Sequence, residues 1–89
     1  MIDIYDFCYQ LQQGKWRCCG MAENHPKFPA HHFVIISLPI YFDEEKLILH
    51  TVSGSEYQIH SFYNKDEVIR QLKLDIAHGS YELRSTRQI

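Results

Sequence analysis

The stretch LILHTVSGSEYQIHSFY, residues 47–63, decides the fold class because it carries the clearest hairpin pattern in the chain. Two runs rich in apolar residues, 46–52 and 56–63, flank the sequence Ser-Gly-Ser at 53–55, and apolar and polar residues alternate over 56–60. Alternation of this kind is typical of half-buried strands, and a short glycine-containing segment between two such runs is typical of a hairpin loop. The sequence therefore predicts an antiparallel pair of strands at its centre.

The register of this hairpin is predicted from the requirement that one of its faces be apolar. A two-residue loop would place Leu49 opposite Gln58, whereas a three-residue loop places Leu49 opposite Ile59. We therefore predict the three-residue loop. On the polar face it puts His50 opposite Gln58 and makes His60 a diagonal neighbour of His50.

Upstream of the hairpin, the sequence predicts two further strands separated by a loop. Residues 15–21 have a weak strand pattern, and residues 22–31 contain Pro26 and Pro29, which favour a loop. The run HFVIISL, residues 32–38, is continuously apolar and rich in β-branched residues, so we expect a central strand covered on both faces. Pro39 is expected to end its regular pairing because proline has no donor for the ladder.

Two helices are predicted, one near each end of the chain. Residues 3–13 carry apolar side chains at helical spacing, with Gly14 after the last turn. The second helix begins at Asn64, which forms a capping-box pattern with Glu67, and it ends near His78 before Gly79. Its apolar stripe consists of Val68, Ile69, Leu72 and Ile76, while Leu74 points away from that stripe.

A last strand over residues 80–85, followed by a frayed tail over 86–89, completes the predicted order α-β-β-β-β-α-β. This order describes a small single α+β domain spanning residues 1–89, with a mostly antiparallel sheet and both helices packed on one face. A chain of 89 residues is too short for a two-domain enzyme.

Composition narrows the classes of function. Hydrophobic residues make up 45% of the chain and charged residues 22%, which are ordinary values for a globular protein. The net charge of −2 does not favour nucleic acid or anionic membranes as partners. No apolar run is long enough to cross a bilayer, and no basic export signal follows Met1, so we expect a cytoplasmic protein without membrane contact.

The side chains suited to metal or thiol chemistry are concentrated in the first third of the chain. Cys18 and Cys19 are adjacent and would point to opposite faces of a strand, so their spacing does not resemble that of a structural zinc motif. The odd number of cysteines fits a reducing compartment. We therefore predict no cofactor and no catalytic residue, and keep a metal- or thiol-dependent function centred on these two cysteines as an alternative. The candidate ligands are Cys8, Cys18, Cys19, His25, His31 and His32.

Apolar and charged groups outside the predicted core favour a protein interface. The candidates are Phe28 in the proline-containing loop, the acidic turn Asp43, Glu44 and Glu45, the histidines His50 and His60, and the apolar side chains of Phe62 and Leu74. Since imidazole side chains gain charge within the physiological range, a contact through the two histidines would depend on pH. We expect such a contact to change in affinity between pH 5.5 and 8.

The leading hypothesis is a non-enzymatic protein-binding module. It would act as a stoichiometric regulator or inhibitor of another protein, and its size is comparable to that of phage or plasmid inhibitors and immunity proteins. Self-association would use a strand edge or the face of the second helix that carries Leu74. The alternative is a nucleic-acid-associated regulator that uses cations of the second helix and the C-terminal segment. Those cations are Lys65, Arg70, Lys73, Arg84 and Arg87.

Overall fold

Six strands and one helix make up the fold of residues 1–88, which the computed structural model describes, with side chains over residues 1–78. The strands are β1 (Ile2–Gln12), β2 (Lys15–Ala22), β3 (His32–Ile35), β4 (Pro39–Asp43), β5 (Ile48–Thr51) and β6 (Glu56–Ile59), and helix α1 (Lys65–Gln88) follows them. They form one sheet in the order β3-β2-β1-β6-β5-β4, antiparallel throughout except for the parallel pair β1 and β6. The α+β class and the mostly antiparallel sheet are confirmed, and the predicted order of elements is wrong.

The first segment is strand β1 and not the predicted helix. Its pairing with β2 is interrupted between Tyr5 and Cys8, where Asp6 adopts a left-handed φ of 52°. A bulge of this kind inserts one residue and shifts the alternation of side chains by one position. Ile4 and Phe7 are consequently both fully buried, and their three-residue spacing is the spacing that suggested a helix.

The run 32–38 forms an edge strand and not the predicted central strand. Strand β3 pairs with β2, and no other strand of the described residues pairs with its outer side. Val34 and Ile36 are buried, whereas Phe33 and Ile35 are exposed. The pairing of this run with β2 ends at Ile36, before Pro39, and Pro39 then opens strand β4, since proline is tolerated at the first residue of an edge strand.

The central hairpin has the predicted faces but a different register. Leu49 lies opposite Tyr57, and His50 lies opposite Glu56. The pairing differs from the predicted one by two residues, which leaves the side chains of the paired residues on their predicted faces because side chains alternate with a period of two. A hydrogen bond from the Thr51 amide to the Ser55 carbonyl (3.1 Å) closes a loop centred one residue earlier than expected.

Helix α1 begins where the sequence predicts and runs further than expected. The Asn64 side chain donates a hydrogen bond to the Glu67 carboxylate (2.8 Å), and the Val68 amide bonds to the Asn64 carbonyl. Gly79 does not end the helix, which continues to Gln88, so the predicted strand over 80–85 is wrong. One glycine inside a helix costs only about 1 kcal/mol, which a long helix can absorb. Of the predicted frayed tail, residues 86–88 are helical, and Ile89 lies outside the described residues.

The core lies between one face of the sheet and α1. The Tyr9 hydroxyl donates a hydrogen bond to the Asp75 carboxylate (2.9 Å), which connects β1 with the helix. Val68 and Leu72 of the helix are buried in the same cluster as the central apolar residues of the strands. The helix-facing side of the sheet therefore holds the main core.

Across residues 1–88, no helix has both the length and the hydropathy required to span a bilayer.

Candidate functional site

The two faces of the sheet can be distinguished from its register. Tyr9, which contacts α1, lies opposite Cys18, so both point toward the helix. Because side chains alternate along a strand, the neighbouring opposed pair Cys8 and Cys19 points to the other face. We call this other side the open face, since α1 packs on the opposite side of the sheet.

An apolar patch occupies the open face at the β3 end of the sheet. Cys19 lies opposite Ile35, Met21 lies opposite Phe33, and Tyr5 lies opposite Met21. Phe33 is 41% exposed and Ile35 is 45% exposed, while Cys19 beneath them is fully buried. The four side chains Tyr5, Met21, Phe33 and Ile35, which we call the open-face patch, form one contiguous surface.

The backbone of β3 presents hydrogen-bonding groups at the edge of this patch. The Ile36 amide donates to the Cys18 carbonyl (2.9 Å), which fixes the direction of alternate amides along the segment. Val34 and Ile36 therefore direct their N–H and C=O groups toward β2. Phe33 and Ile35 direct theirs away from the sheet, where no strand of residues 1–88 accepts them.

Histidine–carboxylate pairs lie on the open face next to the patch. His60 contacts the Asp3 carboxylate (2.8 Å), and its ring stacks on Tyr5 with 4.8 Å between ring centroids. His50 contacts Glu56 (3.3 Å). The two histidines thus have separate partners, and the predicted diagonal contact between them is wrong because of the shifted hairpin register.

The cysteines lie on both faces of β2 and are free thiols. The Sγ atoms of Cys8 and Cys19 are 3.7 Å apart on the open face, while Cys18 points toward Tyr9 and the helix. Burial raises the pKa of the Cys18 thiol to about 12, and the negative charge of Asp75 acts in the same direction. Burial also raises the pKa of Cys19 to about 12. A buried, protonated thiol is a poor nucleophile at neutral pH.

The loop histidines are engaged with neighbours rather than with the cysteines. The Phe28 ring stacks on His32 with 4.7 Å between centroids and packs at a tilt on His25. His31 contacts the Glu23 carboxylate (2.7 Å). Within residues 1–78, no group of three histidine, cysteine or acidic side chains could hold a metal ion.

The remaining interface candidates differ in exposure. In the acidic turn, the Glu44 carboxylate pairs with Lys73 of α1 (2.7 Å). The Asp43 carboxylate accepts a hydrogen bond from the Lys46 amide, and Glu45 is exposed. Leu74 is exposed, as predicted. The expectation that Phe62 lies outside the core is wrong, because its ring packs edge-on against the buried Phe7.

The helix cations considered for nucleic-acid binding have partners within the protein. Lys65 lies over the Phe62 ring (5.8 Å), Arg70 lies near Glu67 (3.7 Å), and Lys73 pairs with Glu44. The side chains of Arg84 and Arg87 lie outside the described residues. The described cations therefore do not form a continuous basic surface.

A shallow groove of about 440 Å³ lies between the tip of the β1–β2 hairpin and the start of α1. Trp16 and Tyr63, both largely exposed, line it together with Tyr9 and Arg70. Aromatic and arginine side chains are common in protein interfaces. Cys8 and Glu67 also line the groove, where the Cys8 sulfur contacts Cys19 and Gln10 and the Glu67 carboxylate accepts a hydrogen bond from Asn64.

The sequence did not single out Phe33 and Ile35, which are the central residues of the patch. Every residue from 33 to 36 is apolar, so nothing in the sequence distinguishes the exposed positions from the buried ones. The difference comes from the two faces of the sheet, because Val34 and Ile36 point to the helix-facing side and join the core cluster, whereas Phe33 and Ile35 point to the open face.

Comparison with known protein families, with curated proteins and with solved structures finds no match for this chain.

Proposed function

We propose that this protein is a non-enzymatic protein-binding module that binds an extended segment of its partner along β3. The observation that carries the proposal is the unpaired outer edge of β3 beside the open-face patch. Proteins commonly recognise extended segments by adding them as a strand to an open sheet edge. In that mode the backbone provides affinity, and pockets for alternate side chains provide specificity.

The backbone of β3 supports this mode of binding. Phe33 and Ile35 supply two outward N–H donors and two outward C=O acceptors, and β2 uses none of these groups. An edge with unpaired groups is normally protected by charged side chains, proline or a bulge. Within the strand itself, β3 contains none of these devices.

The side chains around the edge support a protein partner rather than a small polar ligand. Phe33 and Ile35 are exposed beside Met21 and Tyr5, which extends the apolar surface onto the sheet. Contiguous apolar surface of this kind typically marks an interaction site. The high pKa of the buried thiols also favours binding over nucleophilic catalysis.

The test is affinity capture from the native host with the wild-type chain and an Ile35→Pro variant. Proline removes an amide that points outward and leaves the ladder to β2 intact, so we expect the variant to fold and to lose the bound protein. Leu74→Ala is the matched control, because Leu74 is equally exposed on α1, and it should retain the bound protein.

Amide hydrogen exchange on the captured complex identifies the contact surface. The amides of Phe33 and Ile35 should exchange more slowly in the complex than in the free protein, because they become paired. Retention of the bound protein by Ile35→Pro, together with unprotected Phe33 and Ile35 amides in the wild-type complex, would contradict strand addition at this edge.

A further inference from the structure

We propose that the strand bound along β3 is β3 of a second copy of this chain. This inference rests on the function proposed above, because it uses the same edge and names its occupant. The two β3 strands would run antiparallel about a two-fold axis through Val34, which joins the two sheets into one. A two-fold interface of this kind uses the same surface on both copies.

The backbone geometry selects this axis. The backbone N–H and C=O groups of Phe33 and Ile35 point away from the sheet and are available for pairing. Those of Val34 point toward β2. A two-fold axis at Val34 places Phe33 of each copy opposite Ile35 of the other copy. In this register the outward N–H and C=O groups of Phe33 and Ile35 all form hydrogen bonds between the copies. Moving the axis toward His31 would bring that residue into the pairing, where its left-handed φ of 59° interrupts the strand.

The side chains of the two copies match in this register. On the open face, Phe33 would contact Ile35 of the second copy, and the open-face patches would merge into one apolar surface. Cross-strand pairs between aromatic and β-branched side chains are among the favourable pairs in sheets. The one titratable side chain of β3, His32, lies on the helix-facing side and stacks on Phe28, so the open-face contact contains no like charges.

The other edge of the sheet explains why the assembly would stop at two copies. Strand β4 begins with Pro39, which has no amide donor, and its pairing with β5 is irregular between Pro39 and Tyr41. Proline and bulges are devices that protect an edge from pairing. One protected edge and one unprotected edge give a closed dimer instead of a growing filament.

The mass in solution tests the dimer. Sedimentation equilibrium of the purified chain, from micromolar to millimolar concentration, should show a mass that rises toward twice the monomer mass of 10.6 kDa. Ile35→Pro should weaken the dimer by roughly 10- to 100-fold, since the two-fold axis removes two hydrogen bonds at once. Leu74→Ala should leave it unchanged.

The register is tested by charge exchange. Phe33→Lys alone and Ile35→Glu alone should each weaken the dimer, because a charge then faces an apolar side chain. The double variant Phe33→Lys with Ile35→Glu should recover part of the association, since the two new charges then face each other across the axis. Isotope-filtered contacts between a labelled and an unlabelled copy should connect residue 33 with residue 35.

The outcomes separate this inference from the function on which it rests. A wild-type chain that stays monomeric, while the amides of Phe33 and Ile35 are protected in a complex with another protein, overturns the second-copy inference and leaves strand addition standing. A dimer that Ile35→Pro and the charge variants do not weaken overturns the inference as well. Circular dichroism of each variant separates loss of pairing from loss of folding.

Discussion

At the scale of single residues, the adjacent cysteines of β2 have different surroundings because the strand directs them to opposite faces. Cys18 lies on the helix side near Tyr9 and Asp75, whereas Cys19 contacts Cys8 on the open face. Burial raises the pKa of both thiols. Their position makes them packing residues of the sheet, and it argues against the thiol-dependent alternative.

The raised pKa of Cys18 predicts a loss of stability at alkaline pH. The unfolded thiol ionises near pH 9.0, whereas the folded thiol stays protonated up to about pH 12. The stabilisation that the protonated Cys18 thiol gives the folded state is therefore complete below pH 9. As the pH rises toward 12 it is lost, and the free energy of unfolding falls by at most about 1.4 kcal/mol per pH unit. Urea unfolding across this interval measures the decline.

Cys18→Ala is the control for this prediction. The variant has no thiol at this position to titrate, so its free energy of unfolding should fall less steeply with pH, although its stability at neutral pH is lower because a buried group is lost. Parallel declines in the two proteins would show that Cys18 does not titrate as its burial implies.

At the scale of elements, α1 is attached to the sheet by one face, and its exposed side chains contribute little to the core. Leu72 is fully buried in the core cluster, and Leu74, two residues further on, is 47% exposed. Two polar contacts also connect the helix with the sheet and the β4–β5 turn. One is the hydrogen bond between Tyr9 and Asp75, and the other is the ion pair between Glu44 and Lys73. The helix thereby closes one face of the sheet and leaves the other accessible.

Two alanine substitutions in α1 test this arrangement. Leu72→Ala should lower the free energy of unfolding by about 2–5 kcal/mol, because it leaves a cavity in the core. Leu74→Ala changes the same residue type in the same helix and should cost less than about 0.5 kcal/mol. Thermal or urea unfolding gives both values, and equal losses would contradict the packing of the helix.

At the scale of the whole molecule, the exposed apolar side chains of the open face are concentrated toward β3 and its histidine–carboxylate pairs toward β6 and β5, and the two regions meet where His60 stacks on Tyr5. The open-face patch and the β3 edge are apolar, while the histidine–carboxylate pairs lie toward β6 and β5. The described helix cations are paired with carboxylates or with an aromatic ring. This separation favours a partner held by backbone and apolar contacts over a polyanionic partner.

The response to salt distinguishes these two kinds of partner. The proposed dimer would be held by backbone hydrogen bonds and apolar contacts, so its dissociation constant should change by less than about threefold between low and high salt. Binding through phosphate contacts would weaken steeply over the same range. A sedimentation series in sodium chloride measures the change, and a steep loss of association would contradict a dimer held by backbone and apolar contacts.

Several features of the fold could be predicted from the sequence because they depend on local chemistry. Alternation over residues 47–59 determined which side chains of the central hairpin face the core, and the Asn64 and Glu67 pattern located the start of α1. The exposure of Leu74 followed from its angle on the helix. Each of these features is set by residues a few positions apart.

Only the tertiary structure decided the remaining features, because they depend on contacts between distant segments. The bulge at Asp6 gives strand β1 an apolar spacing like that of a helix, and pairing with β2 and β6 is what makes it a strand. Side-chain alternation cannot distinguish two hairpin registers that differ by two residues, because both place the same side chains on the same face. The packing of α1 on one face decided that Phe33 and Ile35 are exposed, and the strand order decided that the outer backbone of β3 has no partner strand within residues 1–88. The proposed site therefore could not be found from the sequence.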